Sequence, residues 1–416
     1  VNRPIFAALI LFLLVAAYSW KGLFAPIPEA QMWDRTYYLR LAEGDTADVI
    51  RPFTKRILHP KAARFLSDVT GWEIRDSFRI LSFLSLFLIS ISLAVLWKKL
   101  TPFPSLGLLP VVFTPYLCQI FSDFLMHDLF FSALLSLFFL LLAFGRDWLS
   151  LPLLFLLFLT REATVLLAVF LGALSLYRRR FLFAVGLFAV LVAGFIASSH
   201  FASLGQPNKH QMGEALYMFS KVVYNFSANF LGINFWVNTY DHCVPFVEGQ
   251  VPPWLPAGMI HFFGVCGFSI WQPVNTLVSY LTIFGIGPAA LAFVLIRKRF
   301  SLFREGDLPL LLFLAYGLVS YLLGPFLGPG GYRLMGYGWP AFWLATPVLA
   351  GRYLSLDKKG SIRLVICHLI LSWLPPLVAL LHLSWGWDRT LLAVTAIPLQ
   401  IYSLKTVRQS FAVRST

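Results

Sequence analysis

Asp34 stands in the stretch "WDRTYYLRLA" (33–42), with Tyr37 and Tyr38 three and four residues further on. On a helix that spacing puts a carboxylate and two phenol rings on neighbouring faces. A carboxylate beside flat aromatic surfaces suits a general base next to a sugar-stacking platform. An interfacial helix with an aromatic belt and solvated charges has the same pattern. "RPFTKRILHP" (51–60) gathers Arg51, Lys55, Arg56 and His59. A helix there would turn a basic face to an anionic substrate, or to the phosphates of membrane lipid.

"SDFLMHD" (122–128) brings Asp123, His127 and Asp128 within six residues. Carboxylates and an imidazole at this spacing could hold a divalent metal or set two acids to different pKa values. A polar turn in which Ser122 or Asp123 caps a helix is the plainer alternative. "TREA" (160–163) carries Arg161 and Glu162, and "GPGGYRLMGYGWP" (328–340) sets Tyr332 and Arg333 among glycines and aromatics. Arg333 could fork onto a phosphate, or pair with an acid such as Glu162 or Asp34.

These charges are conspicuous because the chain is otherwise made for lipid. Of 416 residues, 58% are hydrophobic, 17% aromatic and only 12% charged, with mean hydropathy +0.75. Long apolar runs with few polar interruptions predict transmembrane helices, since barrel strands would alternate over about ten residues. The net charge of +14 is spread as basic residues between apolar runs, as in topology determinants, which argues against nucleic-acid binding. The four cysteines lack metal-site spacing, and the one disulfide they offer is Cys243–Cys266.

At about 20 apolar residues per crossing, the predicted fold is all-α, with about 12 membrane helices in a range of 10–14. They fall near 4–20, 77–97, 103–121, 129–145, 149–160, 164–177, 181–198, 273–296, 308–326, 336–350, 362–383 and 390–404. The run 4–20 is read as a retained helix, because no small-x-small cleavage site follows it. With both termini cytoplasmic, Arg3, Lys98, Lys99, Arg146, Arg178–Arg180, Arg297–Arg299, Arg352 and Lys405 fall on the inner side. That alternation requires 149–177 to split at Arg161–Glu162 into two short helices, with the turn below the outer membrane surface.

The whole chain, 1–416, then reads as one integral-membrane domain with no separate soluble domain and two long extracytoplasmic loops, 21–76 and 199–272. Interfacial helices are predicted over 28–44 and 53–68, and interfacial or re-entrant segments over 214–236 and 254–271. Every candidate residue above falls at this outer face.

The order and shared side of "WDRTYYLRLA", "RPFTKRILHP", "TREA" and "GYRLMGYGWP" resemble the GT-C superfamily of integral-membrane glycosyltransferases, especially bacterial members that use polyprenyl-phosphate-linked sugars. The resemblance covers the first ten helices by topology and four short patches by residue type. It implies that Asp34 is the general base on the acceptor hydroxyl and that the sugar is transferred with inversion. It further implies that Arg333, with Arg51, Arg56 and His59, meets the donor phosphate. Tyr37, Tyr38, Asp123, His127, Asp128, Arg161, Glu162 and Tyr332 would border the cavity. The implied partners are a polyprenyl-phosphate sugar, membrane lipid, and a glycan, lipid or protein acceptor at the outer face of a bacterial inner membrane. A divalent metal stays open as a cofactor. The chain departs from well-studied members in lacking a C-terminal soluble domain and in showing "WDR" where many are more acidic.

A transporter or flippase for a lipid-linked anion is the competing expectation. It would place its site near the midplane between helices broken at matching positions. An O-antigen-type ligase or polymerase would carry arginines in its large late outer loop, and 199–272 has none.

Overall fold

The structure, a computed structural model, describes residues 3–28, 32–51, 53–206, 214–235, 265–298, 307–328, 331–383 and 386–412. Its chain is helical throughout, apart from one short two-stranded ribbon among the described residues. By compactness it divides into two units. The first comprises 1–208, 300–316 and 343–351, and the second 209–299, 317–342 and 352–416.

In the first unit, α1 (Pro4–Phe24), α4 (Ile74–Leu100) and α7 (Asp128–Ala143) pack side by side. Between α1 and α4 the chain forms α2 (Trp33–Glu43), a 3-10 turn at Phe53–Lys55, and α3 (Leu58–Thr70). Both short helices were expected from residue spacing. Gly44 ends α2 at φ +94°, a conformation that only a residue without Cβ adopts freely, and its N–H caps Arg40 and Leu41 carbonyls. The remaining helices of this unit are α5 (Leu108–Val112), α6 (Pro115–Ser122), α8 (Asp147–Phe158), α9 (Thr164–Tyr177) and α10 (Phe181–Ser203). The helical run therefore does break at Arg161–Glu162.

Phenylalanine fills the centre of this unit: Phe121, Phe124, Phe131, Phe138 and Phe139 are all buried. Buried hydroxyls there turn back on their own helices, as Ser136 does to the Ala133 carbonyl, or reach a neighbour, as Ser19 of α1 does to the Cys118 carbonyl.

The second unit contains α11 (Glu214–Phe226), α12 (Trp271–Thr282), α13 (Gly287–Lys298), the C-terminal half of α14 (Leu308–Leu327), and α15 (Gly331–Met335). Helix α16 (Thr346–Tyr353) precedes α17 (Lys358–Ala379) and α18 (Trp387–Ala412), which pack together. The predicted segment 214–236 is helical to Leu231 and then becomes β1 (Ile233–Phe235). It pairs antiparallel with β2 (Val265–Phe268), so the described part of 254–271 begins as a strand where an interfacial or re-entrant segment was expected. The β-forming Val and Phe of β2 flank a glycine, a composition poor for helix. Cys243 lies outside the described residues, while Cys118 and Cys367 are buried free thiols.

Among the described residues six helices are long and apolar enough to cross a membrane, which identifies an integral membrane protein with helical spans. The count rises to eight if two bent pairs are each one span: Ser105–Val112 with Pro115–Ser122, bent by 73°, and α12 with α13, bent by 72°. Among the described residues this is fewer than the twelve spans expected, and the difference lies in short or irregular segments. Helices α7, α8 and α9 have only 16, 12 and 14 residues, and the expected span 336–350 opens as a 3-10 turn followed by a π-helical stretch. Proline and glycine explain both bends: Pro115 starts α6, and Gly285 at φ +52° interrupts the ladder between α12 and α13.

Candidate functional site

The polar residues of the first unit converge around α2. This helix is anchored by its tyrosines. Tyr38 is fully buried in a cluster with Leu41, Val49, Phe53, Ile57, Met126 and Leu159, and Tyr37 stacks on Phe53 at 4.6 Å. The Tyr38 ring meets Phe53 edge-on, so one aromatic of the 51–60 segment holds both phenols. At the other end of α2, Trp33 is 78% exposed and adopts φ +33°, a strained backbone for an aromatic residue, immediately before Asp34.

A backbone clip fixes the loop that follows. Gln206 N–H donates to the Val49 carbonyl at 3.0 Å and Arg51 N–H to the Gln206 carbonyl at 3.1 Å. The Arg51 Nε donates to the Ala202 carbonyl at 2.8 Å, at the end of α10. Its two Nη groups have no partner among the described residues.

Three of the buried and half-buried carboxylates around α2 carry a guanidinium. Arg35 grips Asp123 through Nε at 2.7 Å and Nη2 at 3.0 Å. Arg161 Nη1 donates to Asp128 Oδ1 at 3.1 Å and lies 3.2 Å from His127 Nε2, with Asp128 only 1% exposed. Arg56 Nε donates to Glu162 Oε2 at 3.0 Å while its Nη1 donates to the Tyr38 hydroxyl at 3.1 Å. Asp34, half-buried, has neither a hydrogen bond nor an ion pair among the described residues.

The protonation states follow from these neighbours. Burial pushes the Tyr38 phenol up to about 12 against the pull of Arg56, and the charges of Asp128 and Asp34 add to the rise. Tyr38 therefore stays protonated, accepts from Arg56, and keeps its own O–H to donate. Burial would raise Glu162, but the Arg56 guanidinium outweighs it and holds the carboxyl below its usual range. Burial lowers His59 to about 3 although Asp128 opposes it. That imidazole is 1% exposed, wedged against Phe78 and Phe130, with Nδ1 unpartnered.

These positions correct several expectations. His59 is uncharged and enclosed, so it brings no cation to a phosphate; its basic neighbours in sequence gave no sign of its burial. Arg56 is held by Glu162 and Tyr38, which makes it a brace for α2. The metal ligands suggested by "SDFLMHD" face arginines, whose charge already occupies the carboxylate lone pairs a metal would use. Among the described residues no three His, Cys, Asp or Glu side chains converge on one point. Arg35 was missed: it sits in the "WDR" triplet, but its partner is 88 residues away.

In the second unit Arg333 and Tyr332 lie half-buried on α15, which packs against α12. Asn229 fixes the chain just before them by donating to the Pro325 and Gly328 carbonyls at 2.6 and 3.4 Å. A second polar feature occupies the α12–α13 break, where Gln400 Nε2 donates to the Leu281 and Gly285 carbonyls, both at 2.7 Å.

No known family model matches this chain, no curated protein matches it, and no solved structure matches its fold.

Proposed function

We propose that the chain is a membrane glycosyltransferase of the GT-C kind. It takes a sugar from a polyprenyl-phosphate donor and transfers it to a glycan, lipid or protein acceptor at the extracytoplasmic face. One observation carries this reading: of the buried and half-buried carboxylates around α2, Asp34 alone is left without a cation or a hydrogen bond among the described residues. A paired carboxylate has lost basicity to its partner, whereas a general base needs an uncommitted lone pair.

In the proposed step Asp34 takes the proton of the acceptor hydroxyl as that oxygen attacks the anomeric carbon. The bond from that carbon to the donor's phosphate oxygen breaks, the phosphate leaves with the electron pair, and the centre inverts. Arg51, whose two Nη groups have no partner among the described residues, supports the departing phosphate. Tyr37, stacked on Phe53 and half-buried, serves as a wall for a sugar ring. The topology belonging to this reading keeps both termini cytoplasmic and counts α7, α8 and α9 as short crossings.

The two bent helix pairs favour a second reading, a transporter for a lipid-linked anion, because broken helices are where such proteins bind substrate. Against it, the Leu281 and Gly285 carbonyls at the second break are already taken by Gln400. At the first, Thr114 caps α6 by accepting from the Leu117 N–H.

Incubating the purified protein with radiolabelled polyprenyl-phosphate sugars and acceptor extracts tests the choice. Label moving covalently to an acceptor, and ceasing to move in Asp34→Asn, supports the enzyme. Label crossing a proteoliposome membrane without transfer supports the carrier, and normal transfer by Asp34→Asn sinks the mechanism.

A further inference from the structure

At one end of the second unit the ends of α13, α16, α17 and α18 meet. The Lys298 ammonium, closing α13, lies 4.3 Å from the centre of the Tyr353 ring, which closes α16. Ser355 N–H donates to the Ser410 carbonyl at 3.4 Å and ties the segment before α17 to the end of α18. Phe293 of α13 meets Phe411 of α18 edge-on at 5.6 Å. These contacts bring the exposed cations Arg297, Lys358, Lys359, Arg363, Lys405 and Arg408 to one end of the unit. None of them has an acidic partner among the described residues. The one acid described on these helix ends, Asp357, already accepts from the Gly360 N–H at 2.7 Å as the cap of α17.

Beyond the charges the same helix faces turn apolar. On α17, Lys359, Arg363, Ile366 and Ile370 recur at i, i+4, i+7 and i+11, a single helical face, and the two isoleucines are 50% and 40% exposed. Helix α18 mirrors this order with Ile397, Ile401, Leu404 and Arg408, and Ile401 is 51% exposed. Both stripes start from the same cluster of cations. From Lys359 to Ile370 the stripe covers about 17 Å at the helical rise, close to one leaflet of a hydrocarbon core about 30 Å thick.

Membrane topology alone asks only for cations somewhere in the connecting segments. It does not ask them to converge from three helices above apolar stripes. Helix stability does not explain them either, because Lys358 and Lys359 stand in the first turn of α17, where the helix dipole disfavours cations. The complementary ligand has an anionic head and hydrocarbon chains.

We propose that this end of the second unit binds an anionic two-chain phospholipid. Its phosphate meets the lysines and arginines at the start of α17 and the end of α18, and its acyl chains follow the isoleucine stripes. The site needs only that α17 and α18 cross the membrane. It is independent of glycosyl transfer, since the proposed topology puts it on the face opposite Asp34.

The test uses the full-length protein in phosphatidylcholine nanodiscs doped with phosphatidylglycerol that bears a diazirine on one acyl chain. Label should map to peptides covering 359–370 and 397–408 and weaken with added salt. Unlabelled phosphatidylglycerol should displace it, whereas phosphatidylcholine, or inorganic phosphate at equal ionic strength, should not. Lys358→Gln/Lys359→Gln should weaken phosphatidylglycerol binding about 25-fold, at about fivefold for each cation near the surface. Lys358→Arg/Lys359→Arg should keep the label, which separates lost charge from lost folding. Lys98→Gln/Lys99→Gln, an equal loss of charge in the first unit, should keep it too. Label on other peptides, displacement by phosphatidylcholine or inorganic phosphate, loss in the arginine pair, or an equal loss in Lys98→Gln/Lys99→Gln overturns the proposal.

Discussion

Arg35 holds both oxygens of Asp123, at 2.7 and 3.0 Å, across 88 residues of sequence. This fork ties the first turn of α2 to the turn between α6 and α7, and so fixes where the adjacent Asp34 can lie. Arg35→Ala leaves the mostly buried Asp123 carboxylate without this partner and should cost about 1–3 kcal/mol, measured by thermal unfolding in detergent. Arg35→Lys should restore only part of that loss, because an ammonium cannot reproduce the planar fork.

Asp34 should behave in the opposite way. With no partner among the described residues to lose, Asp34→Asn is expected to leave the unfolding temperature unchanged while transfer falls about 10²–10⁴-fold, the usual contribution of a general base. A matched fall in stability would mean that Asp34 is structural.

Arg56 and Glu162 brace the same helix from the other side. Arg56→Ala should destabilise by about 1–2 kcal/mol, less than a fully buried pair would lose, since Glu162 keeps 36% exposure. A double-mutant cycle with Glu162→Gln should return a coupling energy, and Tyr38→Phe should lower stability through the lost Arg56 hydrogen bond.

His59 makes stability depend on pH. Its folded pKa of about 3 lies below its ordinary value of 6.5, so the unfolded chain binds the proton first. The stability this imidazole contributes is complete above pH 6.5 and declines on acidification, by about 1.4 kcal/mol per pH unit between the two values. In His59→Leu that component of the slope should vanish, which unfolding measured across pH 4–7 would reveal.

At the α12–α13 break, Gly285→Ala combines a strained positive φ with a Cβ placed 2.6 Å from His368 Nδ1. Unfolding should show a loss of at least ~2 kcal/mol. Gln400→Leu removes the donor from two carbonyls and should cost about 1–3 kcal/mol.

Much of the helical framework was legible because hydropathy and basic punctuation act locally. The interruption at Arg161–Glu162 follows from the alternation of the basic connections, and the short helices at Trp33–Glu43 and Leu58–Thr70 from residue spacing. The bends at Pro115 and Gly285 did not show, since an apolar run reads the same whether its helix is straight or broken. Asp34 could be picked from its place beside two tyrosines, but its lack of a cation could not. That depends on which guanidinium reaches which acid: Arg56 finds Glu162 across 106 residues and Arg161 finds Asp128 across 33. For the same reason "SDFLMHD" looked like a metal site, and His59 like a cation.

The brevity of α8 and α9 bears on the lipid around them. Their 12 and 14 residues reach only about 18 and 21 Å, against a hydrocarbon core of about 30 Å. Leu156, Val165, Val169 and Leu176 are 36–52% exposed, so these helices turn apolar side chains outward. In the proposed topology, where both cross, the bilayer is pinched beside them, a hydrophobic mismatch borne by the membrane. A pinched leaflet lowers its own headgroups toward Arg51, so the thickness of the host bilayer becomes a setting of this site.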